Sequence, residues 1–258
     1  MSEAQRSPLG DFLRTRRERL APADVGLAPG RRRRTAGLRR EEVAELAGIG
    51  VDWYIRLEQG RAVSPSATTV EALGRALRLG KAEQAHLRAL TDNAGRRPFV
   101  RETVPGAVLR VVEGLNQPAY VTGRRWDVLA WNAAADAIFT YSAAPQEDRN
   151  SLIRMLTGAG ARTLFGDTWR GEAQRMVAEF RATHDLWAGD PAFVDLLDRL
   201  RAGCPEFDGW WETHDVRTGG GAGRKHLNHA KLGPLTFEYA TFQANDDPAL
   251  KLVIYSPV

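Results

Sequence analysis

The sequence predicts a multidomain protein in which an all-α domain of five helices, containing a helix-turn-helix, precedes an α+β domain. Apolar residues recur at helical spacing as far as about residue 90. Alternation typical of strands follows the breaker-rich segment 95–98. Residues 1–100 carry 19 Lys and Arg against 12 Asp and Glu, whereas the remainder has a net charge of −3. We therefore expect domains at 1–95 and 105–258, joined by a linker at 96–104.

The composition favours a globular intracellular protein. Its 258 residues suffice for two cores, and 43% hydrophobic with 26% charged residues is ordinary for folded domains. The single cysteine, Cys204, has no partner for a disulfide or a zinc motif. No segment approaches the roughly 18 apolar residues of a membrane span. We expect a cytoplasmic protein without a membrane segment, metal or cofactor.

The first helix is expected from Ser7-Pro8 to a point before Pro22, because serine caps helices and proline is tolerated at their first position. The segment Asp24–Thr35 is expected to be a loop. It contains Arg31–Arg34, which either contact phosphates or the minor groove, or serve solubility alone. Further helices are expected after Ser64-Pro65-Ser66 and after Gly80.

Between these helices, residues 40–60 read as helix, tight turn and helix. Ala44 provides a small side chain where two helices cross, and Gly48 suits a turn in which a Cβ is expected to clash. Tyr54 and Leu57 point inward. The side chains left to project outward from the second helix are Val51, Asp52, Trp53, Ile55 and Arg56. Such a motif places the first turn of its second helix in the major groove of DNA.

The predicted DNA-binding residues divide into two classes. Arg56 can donate twice to guanine, Asp52 can accept from cytosine, and Val51 can touch a thymine methyl group. Arginines at the helix ends are expected to contact phosphates and so position the motif. The complete predicted set is Arg39, Arg40, Gly50, Val51, Asp52, Trp53, Arg56 and Arg61.

The run Leu38–Ile49, followed by Trp53-Tyr54 and Leu57–Arg61, resembles the Xre-type repressors, particularly their actinobacterial-style branch. The resemblance covers about the first 95 residues and implies a five-helix domain that binds an operator in double-stranded DNA as a homodimer. Gly50 stands where that family usually has a capping serine, and Arg39 where it usually has Ser or Thr, so weaker capping is expected at both helices. The motif's use for protein contact alone is the alternative interpretation.

The second domain is expected to mix helices and strands. Predicted helices run from Pro105 to Leu115, from Asn132 to Phe139, from Ser151 to Leu156, from Thr168 to Trp187 and from Asp190 to Arg201. Predicted strands are Ala119–Val121 and Trp126–Trp131, forming a hairpin, then Lys225–Ala230, Leu235–Gln243 and Leu250–Tyr255. The glycine-rich segment Gly219–Gly223 lacks the helix and the Ser/Thr of a phosphate-binding loop, so a disordered loop is expected.

Six of the seven tryptophans follow residue 100, and aromatic side chains line small-molecule pockets as well as cores. The segments Tyr120–Asn132, Trp169–Phe180 and His226–Tyr255 resemble the MmyB-like ligand-binding domain over roughly residues 105–258. Ala230 replaces a Pro common in that family. The resemblance implies a PAS-like domain, a small antiparallel sheet flanked by helices around a cavity for fatty acids or other lipophilic molecules. Candidate ligand contacts are Tyr120, Trp131, Phe139, Phe180, His184 and Tyr239.

No catalytic constellation is evident, so the chain is not expected to be an enzyme. His226 and His229 with His184, His214 and Asp215 imitate a metal site, but their spacing does not match a helical ligand pair. Cys204 has no base beside it in sequence. Two hypotheses remain for the second domain. It senses a lipophilic ligand and thereby alters DNA binding, or it serves only dimerisation or partner recruitment.

Overall fold

The computed structural model describes residues 7–27, 37–61, 64–92, 98–217 and 221–258. Contacts between Cα atoms divide the chain into two compact units, Met1–Arg97 with Asp185–Gly189, and Pro98–His184 with Asp190–Val258. The domain limits expected from the sequence, including the linker at 96–104, remain a prediction. The run Arg31–Arg34 lies outside the described residues.

The first unit is helical, as predicted. Its core side chains follow the predicted helical spacing, because Leu13, Val43, Leu73 and Leu87 are fully buried. A short 3₁₀ turn at Pro22–Val25 follows the first helix. Within the described part of this unit the five α-helices are α1 Pro8–Arg19, α2 Arg40–Ala47, α3 Val51–Glu58, α4 Ala67–Ala76 and α5 Lys81–Thr91.

The second unit is an α+β domain, which confirms the predicted class. Its helices are α6 Gly106–Gly114, α7 Ala133–Phe139, α8 Ser151–Leu156, α9 Ala161–Phe165, α10 Trp169–His184, α11 Pro191–Gly203 and α12 Phe207–Glu212. Its strands are β1 Ala119–Thr122, β2 Val128–Trp131, β3 Ala222–His229, β4 Gly233–Gln243 and β5 Lys251–Pro257.

The five strands form one antiparallel sheet in the order β2-β1-β5-β4-β3. One face packs on α6 through Val112, Val121 and Ile254. The strand registers place alternate residues on the opposite face, among them Tyr120 and Tyr255. That second face meets α7 and α9 through Phe139 and Leu164, among others. The site described below lies on this face.

Several sequence predictions need correction in this unit. β2 begins at Val128 rather than Trp126, because Trp126 lies in the turn with a left-handed backbone (φ 66°). β3 begins at Ala222, so two residues of the glycine-rich segment are strand rather than disordered loop. The short helices α9 and α12, of five and six residues, were not predicted. The long helix α10 ends at His184 and a 3₁₀ turn continues to Trp187.

In the described part of the chain, no helix is long and apolar enough to cross a membrane; the longest, α10, has 16 residues. Among the same residues, no group of three or more His, Cys, Asp or Glu side chains is placed to hold a metal ion.

Candidate DNA-binding and ligand-binding sites

The turn between α2 and α3 depends on one glycine. Gly48 ends α2 with φ 66° and ψ 36°, and the amide of Ile49 donates to the Ala44 carbonyl at 2.9 Å. The expected steric clash at Gly48 is wrong, because a Cβ built there meets nothing within 4 Å. The turn requires glycine for its left-handed backbone conformation, not for space.

The predicted inward face of α3 is present, and the predicted outward face is present in part. Ala44, Tyr54 and Leu57 are buried. Val51, Asp52 and Arg56 are exposed, whereas Trp53 and Ile55 are half-buried. The exposed residues lie on one side of α3, with the polar groups of Asp52 and Arg56 in solvent. This arrangement suits a helix that reads base edges.

The two helices of the motif begin differently. Gly50 precedes α3 without a side-chain cap, since it has no side chain to provide one. At the start of α2 the amide of Arg39 donates to the Glu42 carboxylate at 2.7 Å. Half of a capping box therefore holds α2 without a Ser or Thr at its cap.

A buried carboxylate joins three helices of the first unit. Glu58 on α3 accepts from Arg17 Nε at 2.8 Å and from Arg17 Nη2 at 2.9 Å. Arg40 Nε, at the start of α2, donates to the same carboxylate at 2.9 Å. Arg17 Nη1 also donates to the Leu38 carbonyl at 3.0 Å. The carboxylate thus fixes α1 and the first turn of α2 against the end of the candidate recognition helix.

Sequence reasoning missed Arg17 and Glu58. The sequence does contain a clue to both residues, because each charged side chain stands at a position where helical spacing predicts a buried apolar residue. Arg17 follows Leu13 by four residues in α1, and Glu58 follows Tyr54 by four in α3. Burial alone would raise the pKa of Glu58, but hydrogen bonds and attraction from Arg17 and Arg40 lower it below its ordinary value.

The candidate phosphate contacts are placed unequally. Arg39 and Arg61 are exposed at the ends of the motif, as expected. Arg40 is 42% exposed, yet its guanidinium already pairs with Glu58 at 2.8 Å. If Arg40 contacts a phosphate, its guanidinium does so while it is also paired with Glu58.

Two neighbouring cavities lie on the second face of the sheet, in the second unit. The apolar cavity has a volume of 510 Å³ and the charged cavity one of 390 Å³. They share five wall residues, namely Tyr120, Ser151, Met176, Lys225 and Tyr255. Because these residues face both spaces, the two cavities adjoin one another along the middle of the sheet.

More of the surface of the apolar cavity is apolar than polar, although Arg154, Lys225 and His229 are also among its wall residues. Ile138 and Phe139 come from α7, and Leu164 and Phe165 come from α9. Met155 of α8 closes another side. Its volume lies within the ~300–1,000 Å³ that is typical of pockets for small molecules, whose walls are mostly apolar with a few polar groups.

The charged cavity is lined by polar side chains from the sheet and from α10. Arg175 Nη2 donates to Glu172 Oε2 at 2.7 Å, and Lys225 Nζ donates to the same oxygen. Arg175 Nη1 also pairs with Glu179. Burial lowers the pKa of Lys225, while hydrogen bonding and attraction from Glu172 oppose that change.

Tyr120 and Tyr255 belong to the wall that the two cavities share, and Tyr141 lies beside Tyr120 in the apolar cavity. The ring centroids of Tyr120 and Tyr255 lie 6.1 Å apart, and those of Tyr120 and Tyr141 lie 5.6 Å apart. Burial raises the pKa of all three hydroxyls, so these groups stay neutral at physiological pH. These walls therefore offer hydroxyl groups within an aromatic surface.

The predicted ligand contacts fall into two groups. Tyr120 lines both cavities, Phe139 lines the apolar one and Tyr239 lines the charged one. The other three do not belong to the described walls of either cavity. Phe180 and His184 pack beside Phe193, with ring centroids 6.1 and 6.3 Å from it, and Trp131 packs against Tyr141 at 5.5 Å.

The structure gives a role to two residues of β3, Gly223 and His229, that the sequence analysis did not explain. Gly223 pairs with Tyr239, and a Cβ at Gly223 would lie 2.9 Å from that ring, so the glycine lets Tyr239 lie across the strand. His229 Nδ1 accepts from the amides of Lys231 and Leu232 at 3.2 and 3.0 Å. This histidine therefore closes the β3–β4 turn.

Two protein-family models match the chain, one in its first part and one in its second. A family model described as the MmyB-like transcription regulator ligand binding domain matches residues 104–258. A model of a helix-turn-helix domain matches residues 8–87. No curated protein matches the chain.

Proposed function

The chain belongs to the family of MmyB-like transcription regulators, and from this premise we propose that its ligand is a small lipophilic molecule that changes the protein's affinity for an operator. A helix-turn-helix domain supports DNA binding, and a ligand-binding domain supports control by a small molecule. These families are regulatory, which fits a protein that is not an enzyme. The lipophilic character of the ligand is the specific part of the proposal.

One observation carries this choice of ligand. The apolar cavity measures 510 Å³, and α7, α8 and α9 contribute Ile138, Phe139, Met155, Leu164 and Phe165 to its walls. Transfer of apolar surface from water into such a space contributes about 25 cal/mol per Å². An acyl chain or a comparable apolar group fits this lining.

On the DNA side, α3 enters the major groove with its exposed residues towards the bases. Arg56, Asp52 and Val51 contact base edges, with Gly50 and Trp53 at the same end of the helix. Arg39, Arg40 and Arg61 contact phosphates. The exposure of Val51, Asp52, Arg56, Arg39 and Arg61 and the turn fixed by Gly48 support this assignment.

The proposal includes a cytoplasmic homodimer with a PAS-like second domain. A two-fold arrangement lets two helix-turn-helix motifs meet two half-sites about one helical turn apart. Size-exclusion chromatography with light scattering, at several protein concentrations, measures that association directly. A monomer at all concentrations, with DNA absent or bound, contradicts this part.

Thermal unfolding of the full-length protein with a panel of acyl compounds tests the ligand. A ligand present at 100 times its Kd stabilises the folded state by about 2.7 kcal/mol, which raises Tm measurably. Phe139→Ala is the test variant. It removes a side chain from one wall of the apolar cavity and is expected to reduce the rise in Tm that the ligand causes. If no acyl compound raises Tm, and native mass spectrometry finds no bound molecule, the second domain serves dimerisation or partner recruitment instead.

A further inference from the structure

The α4–α5 groove of the first unit is an open groove of 460 Å³ between the second half of α4, the loop after it and α5. Its walls contain three cations, Arg75, Arg78 and Arg88, and one carboxylate, Glu71. Arg75 and Arg78 are exposed, and neither side chain has a hydrogen bond or an ion pair among the residues that the structure describes. Two guanidinium groups therefore line the groove without a counter-charge.

The third cation of the groove is only weakly engaged. Arg88 Nη2 lies 3.5 Å from Glu71 Oε1, and the two side chains are 56% and 50% exposed. An ion pair of that length and exposure adds little stability in water. The groove thus presents an excess of positive charge that suits an anion.

Arg78 also stands where the backbone favours glycine. Its φ is 49°, in the left-handed region that a residue with a Cβ adopts at a cost. The amide of Leu79 donates to the Gly74 carbonyl at 2.9 Å, and this bond closes the end of α4 around the left-handed residue. The position is one at which helices usually have glycine.

Other helix ends of the same unit have glycine at this position. The ends of α2 and α3 are closed by the same hydrogen-bond pattern around Gly48 and Gly60, with φ 66° and 70°. In the described part of the unit, Arg78 is the only residue other than glycine with a positive φ. A cation near the end of α4 gains from the helix dipole, but Arg75 already supplies one. The strain at Arg78 therefore needs another reason, and strained residues cluster where proteins bind their partners.

The groove lies away from the candidate recognition helix. α3 packs on α1 and α2, whereas α4 packs on α2 and α5, and α5 packs on α1. In this ring of five helices the pair α4–α5 is opposite α3. DNA that holds α3 in its major groove is therefore not the anion that meets the three arginines of the same protomer. A second copy of the groove is excluded too, because like charges would meet.

We propose that the α4–α5 groove binds an acidic segment of another protein, whose carboxylates pair with Arg75, Arg78 and Arg88. A guanidinium group donates two parallel hydrogen bonds to a carboxylate, and such pairs are among the stronger polar contacts in proteins. Leu79, half-buried in the same wall, adds apolar contact. The proposal adds a protein partner to the DNA and the small molecule, and it does not depend on the nature of that molecule.

Fluorescence anisotropy with labelled octaglutamate and the full-length protein, at physiological ionic strength, tests the groove. We expect the double variant Arg75→Ala/Arg78→Gly to weaken binding at least about tenfold, because two guanidinium–carboxylate pairs are lost. The matched control Arg14→Ala/Arg19→Ala removes equal charge from α1 and is expected to stay within about twofold, since salt screens distant charges. Equal losses in the two double variants, or no binding by the wild type, overturn the proposal.

Arg78→Gly alone separates binding from folding. We expect this variant to raise Tm by about 2–4 °C, since glycine adopts the left-handed conformation without strain. We also expect it to weaken octaglutamate binding at least about threefold. A lower Tm with unchanged binding would show that Arg78 serves the fold, and it would overturn the proposal.

Two measurements on Arg75→Ala/Arg78→Gly test the other occupants of the groove. Its affinity for operator DNA is expected to stay within about twofold of the wild type, whereas a loss as large as that for octaglutamate assigns the groove to phosphates. Light scattering is expected to give the same molar mass for the variant and the wild type. A smaller mass for the variant assigns the groove to contact between copies of this chain. Either of these results overturns the acidic protein partner.

Discussion

At the residue scale, Glu58 shows how the DNA-binding unit positions its candidate recognition helix. Its carboxylate is 1% exposed and is matched by two guanidinium groups, from α1 and from α2. Removal of one member of a buried ion pair leaves an uncompensated charge, which costs about 3–5 kcal/mol. The ion pairs of Glu58 with Arg17 and Arg40 therefore hold α3 in place against α1 and α2.

The substitution Glu58→Gln is expected to destabilise the protein by about 3 kcal/mol at neutral pH, because Arg17 remains buried without its counter-charge. Chemical denaturation of the full-length protein measures the change. Asp52→Asn, an equivalent change on the exposed side of α3, serves as the control and is expected to stay within about 0.5 kcal/mol. Equal stability of the two variants would contradict the role assigned to Glu58.

The same carboxylate predicts a pH dependence. Since the folded state lowers the pKa of Glu58 below its ordinary value of 4.5, the stabilisation is fully present above that pH. It is lost as the pH falls through 4.5 and on to the lower folded value. We therefore expect the stability difference between wild type and Glu58→Gln to shrink with acidification. A difference that stays constant from neutral pH into that range would show that Glu58 is not charged in the fold.

Arg56 is the residue with the most specific DNA assignment. Arg56→Ala is expected to relax sequence preference at one base pair by about 1–3 kcal/mol, because one bidentate contact to guanine is lost. Binding-site selection from random oligonucleotides measures it. Arg88→Ala removes an equal charge from the exposed side of α5 and should keep the preference intact. An unchanged site in Arg56→Ala places the base contacts elsewhere.

Some of the site residues could be predicted from the sequence and others could not. The exposed set Val51, Asp52 and Arg56 was predictable, because helical spacing assigns Tyr54 and Leu57 to the core. The engagement of Arg40 by Glu58 was not, because 18 residues separate them in sequence. Likewise, Phe180 and His184 were predicted at the ligand, but aromatic content alone does not distinguish a cavity wall from a filled core.

At the element scale, the α2–α3 turn is defined by backbone conformation. Gly48→Ala is expected to cost about 1–2 kcal/mol, the ordinary cost of placing an L-residue in the left-handed region. Gly48→Asn is expected to cost less, since asparagine adopts that region more readily. Thermal denaturation of both variants ranks them. A larger loss for asparagine than for alanine would indicate that side-chain bulk, rather than φ, limits this turn.

Gly10 gives a contrasting case on α1. A Cβ at Gly10 would lie 2.3 Å from the Glu58 carbonyl oxygen, so this glycine is required by close approach of two helices. Sequence inspection identified Gly48 from its place in a motif. It gave no reason for Gly10, because the contact joins elements far apart in the chain.

The sheet elements were predictable in number and approximate position, since their alternation is strong. The start of β3 was wrong because glycines break the expected strand pattern. Gly223 is in strand because its lack of a side chain accommodates the Tyr239 ring. Only the pairing of β3 with β4 reveals this reason.

At the scale of the whole molecule, charge and chemistry follow the same division. The basic excess lies in residues 1–100, which include the helix-turn-helix. The two cavities lie in the second unit, on one face of its sheet. Composition predicted the basic first domain. A cavity in the second domain was expected only from the family resemblance, and most of its wall residues could not be predicted, because the walls form where α7–α10 pack over the strands.

Binding of a ligand in the second domain is expected to change the affinity of the protein for its operator. The most direct measurement titrates operator DNA, chosen by binding-site selection, against the full-length protein with and without a saturating acyl ligand at fixed salt. We expect the two affinities to differ by about 5–150-fold, with the same factor relating ligand affinities in the presence and absence of DNA. Identical operator affinity with the ligand site demonstrably filled would contradict the claim.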